Sequence, residues 1–374
     1  MTKKRINGEG NIRKRTDHSW EGSVLTEDKR RYVYGKSRGE VKDKINKLLA
    51  EGPIEDNDIT VADWMDTWAE CYTAKTKTST QERYRQDIRC HIKPELGHRL
   101  LQDVTMPMVQ RFLNKCQKVD RLSEKSLKNI YLVLNKAMNT AQKAGLIRRN
   151  PCADAEIPAY DAPHQEMRPL KDGEIKTFLQ LIVGHPLEAL FFVAVFTGMR
   201  QSELIGLTWD CVDFDSGQIH LYRQYKAVRG QSNTYAFTNL KNKQDRTFTA
   251  TSSVMQTLRR VKAKQAEWKI RHGPLYNNAT GFVFSNEFGG HLSTRTVQNQ
   301  FKEIVIKMGL PQVRFHDLRH TYATLALQNG VDIKTISYYL GHSTVAFTMD
   351  KYMHVTMNMQ QDGAQKIENF IQSL

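Results

Sequence analysis

No apolar run in the 374-residue chain approaches the roughly 20 residues that a membrane-crossing helix needs. The longest candidate, Ala189 to Phe196, is too short and reads as a buried core helix. The opening MTKKRINGEGNIRKR carries charge but no apolar stretch, so the expectation is a protein without a secretion signal, at home in a reducing cytoplasm. Cysteine is scarce and odd in number. Cys71, Cys90, Cys116, Cys152 and Cys211 are scattered without a C-x-x-C pair, which argues against a disulfide framework and against a zinc site. None of the usual metal-ligand spacings occurs, so neither a metal nor a cofactor is expected. There is no internal repeat and no low-complexity tract. Negative charge is also in deficit: 40 Asp and Glu face 55 Lys and Arg, a formal net charge of +15. Such a surplus favours a polyanionic partner, either nucleic acid or an anionic membrane surface.

What the chain does have is apolar content of 40%, enough for real cores, and a length that suits two or three domains. Residues 1–56 read as a small basic α+β module. Its first 50 residues hold fourteen Lys or Arg against seven Asp or Glu. Short strands are expected near Gly8–Arg13, Trp20–Val24 and Arg31–Gly35, and a helix over Lys42–Ala50. Residues 57–158 read as an all-helical module. Thr60 is a cap for a helix bearing Val61, Trp64, Met65 and Trp68, and Ser79 with Glu82 has the form of a capping box. Lys75, Lys77, Thr78 and Arg83 gather at the start of that second helix, where phosphates bind well. A solvated amphipathic helix would look the same. Residues 159–168 are polar, contain Pro163 and read as a linker.

Residues 169–374 form the remaining domain, mainly helical with a small sheet. Strands are expected at Gln218–Arg223, Thr247–Ala250 and Phe282–Phe284. Within this domain the run from His316 to Tyr352 concentrates chemistry. His316 and Arg319 are three residues apart and share a helix face. Gly330 closes that helix, Asp332 caps the next, Gly341 ends it and presents His342, and a third helical segment from Ser343 carries Tyr352. Far upstream, Arg200 follows an apolar helix and a C-capping Gly198. Two guanidiniums, two imidazoles and a phenol suit phosphate chemistry. Singly, each residue is more ordinary as packing or solvated charge. Glu203 either holds Arg200 in place or is helix-surface charge, and the sequence leaves both open.

The strings HDLRHTYAT, LGHS and Tyr352-Met353-His354, with TGMRQSELIGLTW upstream, resemble the tyrosine recombinases, the integrases of phages and conjugative transposons. The resemblance runs over nearly the whole chain, with four separated blocks in the right order. It implies the DNA breaking-rejoining fold, with residues 1–56 binding DNA arm sites through residues such as Arg13 and Arg15. Residues 57–158 would be a core-binding domain, and the rest a catalytic domain ending in a helix that docks in trans. It implies Tyr352 as nucleophile, with Arg200, Arg319, His316, His342 and a lysine of the run LKNKQDRTF, Lys241 before Lys243, around the scissile phosphate. A 3′-phosphotyrosyl link would preserve the bond energy, so rejoining needs no ATP. The implied partners are double-stranded DNA at core and arm attachment sites and three further copies of the chain, together with an excision factor or a host DNA-bending protein. No membrane partner is implied, and the implied location is the bacterial cytoplasm, in association with the nucleoid. Two other readings stand beside it: strand passage of the type IB topoisomerase kind, and a non-catalytic DNA-binding regulator. The regulator would not explain why Tyr352 and the distant Arg200 both fit.

Overall fold

The computed structural model describes residues 11–16, 19–26, 29–50, 57–160, 168–228, 231, 234–240, 244–342, 344–352 and 368–372. It divides into two compact units between residues 162 and 163, inside the stretch read above as a linker. Among the described residues no helix is long and apolar enough to cross a membrane.

The first unit opens with a three-stranded antiparallel sheet, β1 (Asn11–Lys14), β2 (Trp20–Thr26) and β3 (Lys29–Gly35), in that order. Helix α1 (Arg38–Ala50) covers one face. Its Val41 and Ile45 close a small core with Val24. Gly22 is required at this contact, because a Cβ there would meet Val41 Cγ1 at 2.5 Å. Side chains alternate along a strand, so Arg13, Glu21 and Tyr34, paired across β1, β2 and β3, share the open face.

The helical part of this unit comprises α2 (Val61–Cys71), α3 (Thr78–Asp87), α4 (Lys93–Leu96), α5 (Met106–Lys118) and α6 (Glu124–Lys143). Thr60 caps α2 as expected, its Oγ1 accepting from the Asp63 amide at 3.2 Å. Val61, Trp64, Met65 and Trp68 fall on one buried face. Both indoles donate to α6: Trp64 Nε1 to the Ala137 carbonyl at 3.0 Å and Trp68 Nε1 to Thr140 Oγ1 at 3.1 Å. Helix α3 starts earlier than the capping-box pattern suggested. Lys77 occupies the cap position, which places Ser79 and Glu82 inside the helix. A π-helical turn, Ile88–Ile92, joins α3 to α4. Pro94 explains it: with no N–H it cannot complete the helical bond to Cys90, and the Lys93 amide reaches back to Ile88 instead.

The second unit contains α7 (Asp172–Leu181), α8 (Glu188–Thr197) and α9 (Gln201–Leu204), then β4 (Val212–Asp213), β5 (Gln218–Leu221), β6 (Arg223–Ala227), β7 (Tyr235–Asn239) and β8 (Arg246–Thr249). Helices α10 (Ser252–His272), α11 (Thr294–Lys307), α12 (Asp317–Gln328) and α13 (Ile333–Leu340) follow. Its core is built on Phe178, Phe191, Phe301 and Phe315, whose rings lie edge-on or tilted to one another. The expected strand Gln218–Arg223 is really two. β5 pairs with β4 and β8, and the chain then turns out so that β6 pairs with β7, a strand the sequence reading did not foresee. Phe282–Phe284 makes only a single bridge, Phe282 to Thr208. Gln265 on α10 occupies its carbonyls, donating from Nε2 to Phe282 and Val283 at 2.9 and 3.0 Å, so no ladder forms. Asp332 caps α13, accepting from the Lys334 and Thr335 amides at 2.9 and 3.0 Å. Residues 345–352 are helical and carry Tyr352. Residues 368–372 are helical too, with Phe370 and Ile371 exposed.

Candidate active site

Helix α8 ends at Gly198, whose φ of +61° turns the chain back and sets Arg200 at the cap of α9. Helix α13 ends at Gly341, also at φ +61°. These two helix ends converge. Arg200 donates from Nη2 to the Gly341 carbonyl at 2.8 Å. Arg319, on α12, donates to the Gly198 carbonyl at 2.9 Å and to the Leu340 carbonyl. Carbonyls at a helix C-terminus carry partial negative charge and lack helical partners, so they anchor guanidiniums well.

Glu203 is completely buried beneath this pair. Its Oε1 accepts from Arg200 at 2.8 Å and its Oε2 from Arg246 at 2.6 Å. Arg246 also donates to the Tyr339 carbonyl at 2.7 Å. Burial alone would raise the Glu203 pKa. Arg246 first and Arg200 second overcome it and hold the carboxyl down to about 2. The surface-charge alternative for Glu203 is thereby removed: it is the carboxylate that fixes Arg200. Two guanidiniums, Arg200 and Arg246, therefore share one carboxylate. Arg319, 3% exposed, makes no ion pair among the described residues. Burial and Arg200 bring its pKa down to about 9, still charged at neutral pH. The other nearby carboxylate, Asp317, is 3.5 Å from Arg314 and accepts from its amide. A buried surplus of cationic charge is costly unless an anion completes it.

Tyr352 is 3% exposed, and its Oη lies 2.7 Å from Nδ1 of His320. His320 in turn meets His316 edge-on, ring centres 5.3 Å apart. The imidazole on the phenol is thus His320 rather than His316, which occupies the cap of α12 one turn earlier. Burial raises the Tyr352 pKa and Arg319 partly counters it. His342 Nδ1 is 2.7 Å from Oγ1 of the fully buried Thr348. If that hydroxyl donates, Nε2 of His342 carries the proton and is free to donate. Burial, then neighbouring cations, lower the pKa of His316, that of His320 to about 4 and that of His342 to about 3. A cavity of about 190 Å³ beside the cluster is lined by Gln244, Arg246, Lys334, Tyr338, His342 and Val345.

The fold thus brings together Arg200, His316, Arg319, His342 and Tyr352: Arg319 and Arg200 hold the Leu340 and Gly341 carbonyls just before His342, and the His320 ring lies between His316 and Tyr352. Lys241 and Lys243 lie outside the described residues. The candidate DNA contacts belong to the first unit. Arg13 pairs with Glu21 at 2.9 Å and Arg15 lies 5.4 Å over the Tyr34 ring, both on the open sheet face. Lys75, Lys77 and Thr78 are exposed at the start of α3, and Arg83 is half-buried against Tyr84. Sequence reasoning missed Arg246, Thr348 and His320. Only His320 left a signal, since it is four residues from His316 and so on the same helix face.

The family model described as "Phage integrase family" matches residues 170–359, and "Phage integrase, N-terminal SAM-like domain" matches residues 60–117. A "Tyrosine recombinase XerC-like" protein of Caldanaerobacter subterraneus subsp. tengcongensis is 30% identical, over 91% of this chain and 92% of its own length. The ICEBs1 integrase of Bacillus subtilis is 25% identical over 80% of this chain and 81% of its own. Among solved structures, the Tn1549 transposon integrase in complex with transposon right end DNA superposes with a TM-score of 0.68 at 22% identity, covering 83% of this chain and all of that one. A lambda integrase dimer bound to a COC′ core site gives 0.58 at 18% identity, covering 93% and 96%. The fold is that of the tyrosine recombinases. The chain belongs to the phage integrase family. It is an enzyme, a tyrosine-type site-specific recombinase.

Proposed function

We propose that this recombinase integrates and excises a mobile element by cutting and rejoining duplex DNA at attachment sites, with Tyr352 as the nucleophile. The observation that carries the residue assignment is a guanidinium cluster beside a buried phenol: among the described residues Arg200 and Arg246 share the one carboxylate of Glu203, and Arg319 has no ion pair. A phosphodiester supplies the missing negative charge. As the Tyr352 oxygen bonds to phosphorus, the two arginines take up charge that develops on the non-bridging oxygens. His342 donates to one of those oxygens, and His316 assists by hydrogen bonding. The bond from phosphorus to the 5′ oxygen breaks, and that oxygen takes a proton from Lys241. The 3′-phosphotyrosyl link is then reversed by a 5′ hydroxyl from the other duplex.

Residues 57–158 hold the core site, with Lys75, Lys77, Thr78 and Arg83 on its phosphates. Residues 1–56 hold arm sites through the open sheet face bearing Arg13 and Arg15. Four copies act together, linked by the C-terminal helix, in the bacterial cytoplasm. The integrase names of the relatives and the mobile elements of the ICEBs1 and Tn1549 proteins support this over topoisomerase-like strand passage. The basic face and buried cation cluster support DNA as substrate, as does DNA in the complexes of the neighbours. The test is a nicked duplex from the ends of the chain's own element. Covalent adduct followed by recombinant product is expected. Adduct that only reseals its own strand would favour the topoisomerase reading, and binding without adduct the regulator.

A further inference from the structure

We infer that His320 takes the phenolic proton of Tyr352, which makes it a further catalytic residue of the cleavage step. The inference rests on the nucleophile assignment above and adds the base that assignment lacks. His320 is 6% exposed, and its Nδ1 stands 2.7 Å from Tyr352 Oη, an ordinary length for a strong hydrogen bond from a phenol. Among the described residues the phenol's side-chain hydrogen bond is to His320, and His316 packs edge-on against the His320 ring. That packing, with burial on α12, leaves the imidazole little freedom to turn away.

The groups around His320 decide its protonation. His316 and Arg319 face it from its own helix and cap, Arg314 from the preceding loop, and Lys351 from the segment that carries Tyr352. All are cations or imidazole, and burial acts in the same direction. The ring is therefore neutral at rest, and Nδ1 is free to accept when Nε2 bears the proton. At rest the proton stays on the phenol, whose own ionisation burial opposes. A bound phosphodiester changes this balance. Its negative charge stabilises an imidazolium, so transfer becomes favourable only with substrate in place. The O–H bond of Tyr352 then breaks, its proton bonds to Nδ1 of His320, and the oxygen's electron pair forms the bond to phosphorus. Charge passes to the phosphoryl oxygens held by Arg200 and Arg319.

The test is single-turnover adduct formation at saturating protein. The strand carries a 5′-bridging sulfur at the scissile bond. Sulfur leaves without a proton, which removes the general acid from the pH profile. The wild-type rate is expected to level off near neutral pH. His320→Gln keeps a polar partner for the phenol but is no base, and His320→Ala removes both. Both should fall about 100-fold at neutral pH. Both should then rise about tenfold per pH unit up to about pH 9, because hydroxide must now remove the proton. His316→Ala should be slower with the wild-type shape retained. A level profile and near-wild-type rate in His320→Gln would overturn the inference, leaving the contact a positioning bond. Faster adduct in either His320 variant would also overturn it, making the contact a restraint on the nucleophile. So would transfer of the steep profile to His316→Ala. Adduct persisting in Tyr352→Phe would instead overturn the nucleophile assignment itself.

Discussion

The helical module of the first unit and the centre of the second are both well buried, but opposite kinds of side chain hold them. In the helical module the core between α2 and α6 is apolar, the indoles of Trp64 and Trp68 donate to α6, and the buried polar residues Thr73 and Asn150 are neutral and hydrogen-bonded. In the second unit the ends of α8, α12 and α13 meet around Glu203, Arg246, Arg319 and three imidazoles of low basicity. The first arrangement needs nothing further. The second is electrostatically incomplete without an anion, and that incompleteness marks the site.

The comparison breaks first at Glu203. Glu203→Ala leaves Arg246 and Arg200 buried without their carboxylate, and should destabilise the second unit by about 3–5 kcal/mol in denaturant unfolding while abolishing adduct. Leu134→Ala, in the centre of α6, should cost about 3 kcal/mol through cavity formation and leave the adduct rate per folded molecule unchanged. If both variants lost activity in proportion to stability alone, the two regions would not differ as described.

Acid sharpens the contrast. His316, His320 and His342 have folded pKa values below the ordinary 6.5, so the unfolded chain binds more protons just below that pH. Their contribution is complete above about 6.5 and is lost as pH falls toward about 4 for His320 and about 3 for His342. Glu203 adds stability that is present above 4.5 and lost as pH falls toward about 2. Hydrogen exchange of peptides from α12 and α13 should therefore speed up on mild acidification before that of peptides from α6. Simultaneous loss would contradict the assignment of buried neutral imidazoles to the second unit. The smallest effect is expected at Thr348. Thr348→Val removes one hydrogen bond to His342, about 1 kcal/mol, and should slow adduct formation without changing DNA affinity.

Local signals made much of this legible in the sequence. Thr60 and Asp332 cap their helices, and apolar spacing in α2 marks its buried face. Arg200, His316, Arg319, His342 and Tyr352 stood out because chemistry and family pattern coincide there. What failed depends on distant partners. Arg246 and Glu203 are 43 residues apart, and nothing local joins them. The division of Gln218–Arg223 into β5 and β6 is set by two different neighbours, β8 and β7. The single bridge at Phe282 follows from a side chain on α10. Lys77 took the cap of α3 from the Ser79 pattern, since that pattern does not specify where the preceding turn ends.

The central claim is that the phenol beside the incomplete cation cluster attacks the phosphodiester. It is tested most directly by incubating wild-type protein and Tyr352→Phe with the same nicked attachment-site duplex and resolving the products under denaturing conditions. The account predicts a covalent protein–DNA band with the wild type and none with Tyr352→Phe, at equal DNA binding. A covalent band of comparable yield from Tyr352→Phe would contradict it.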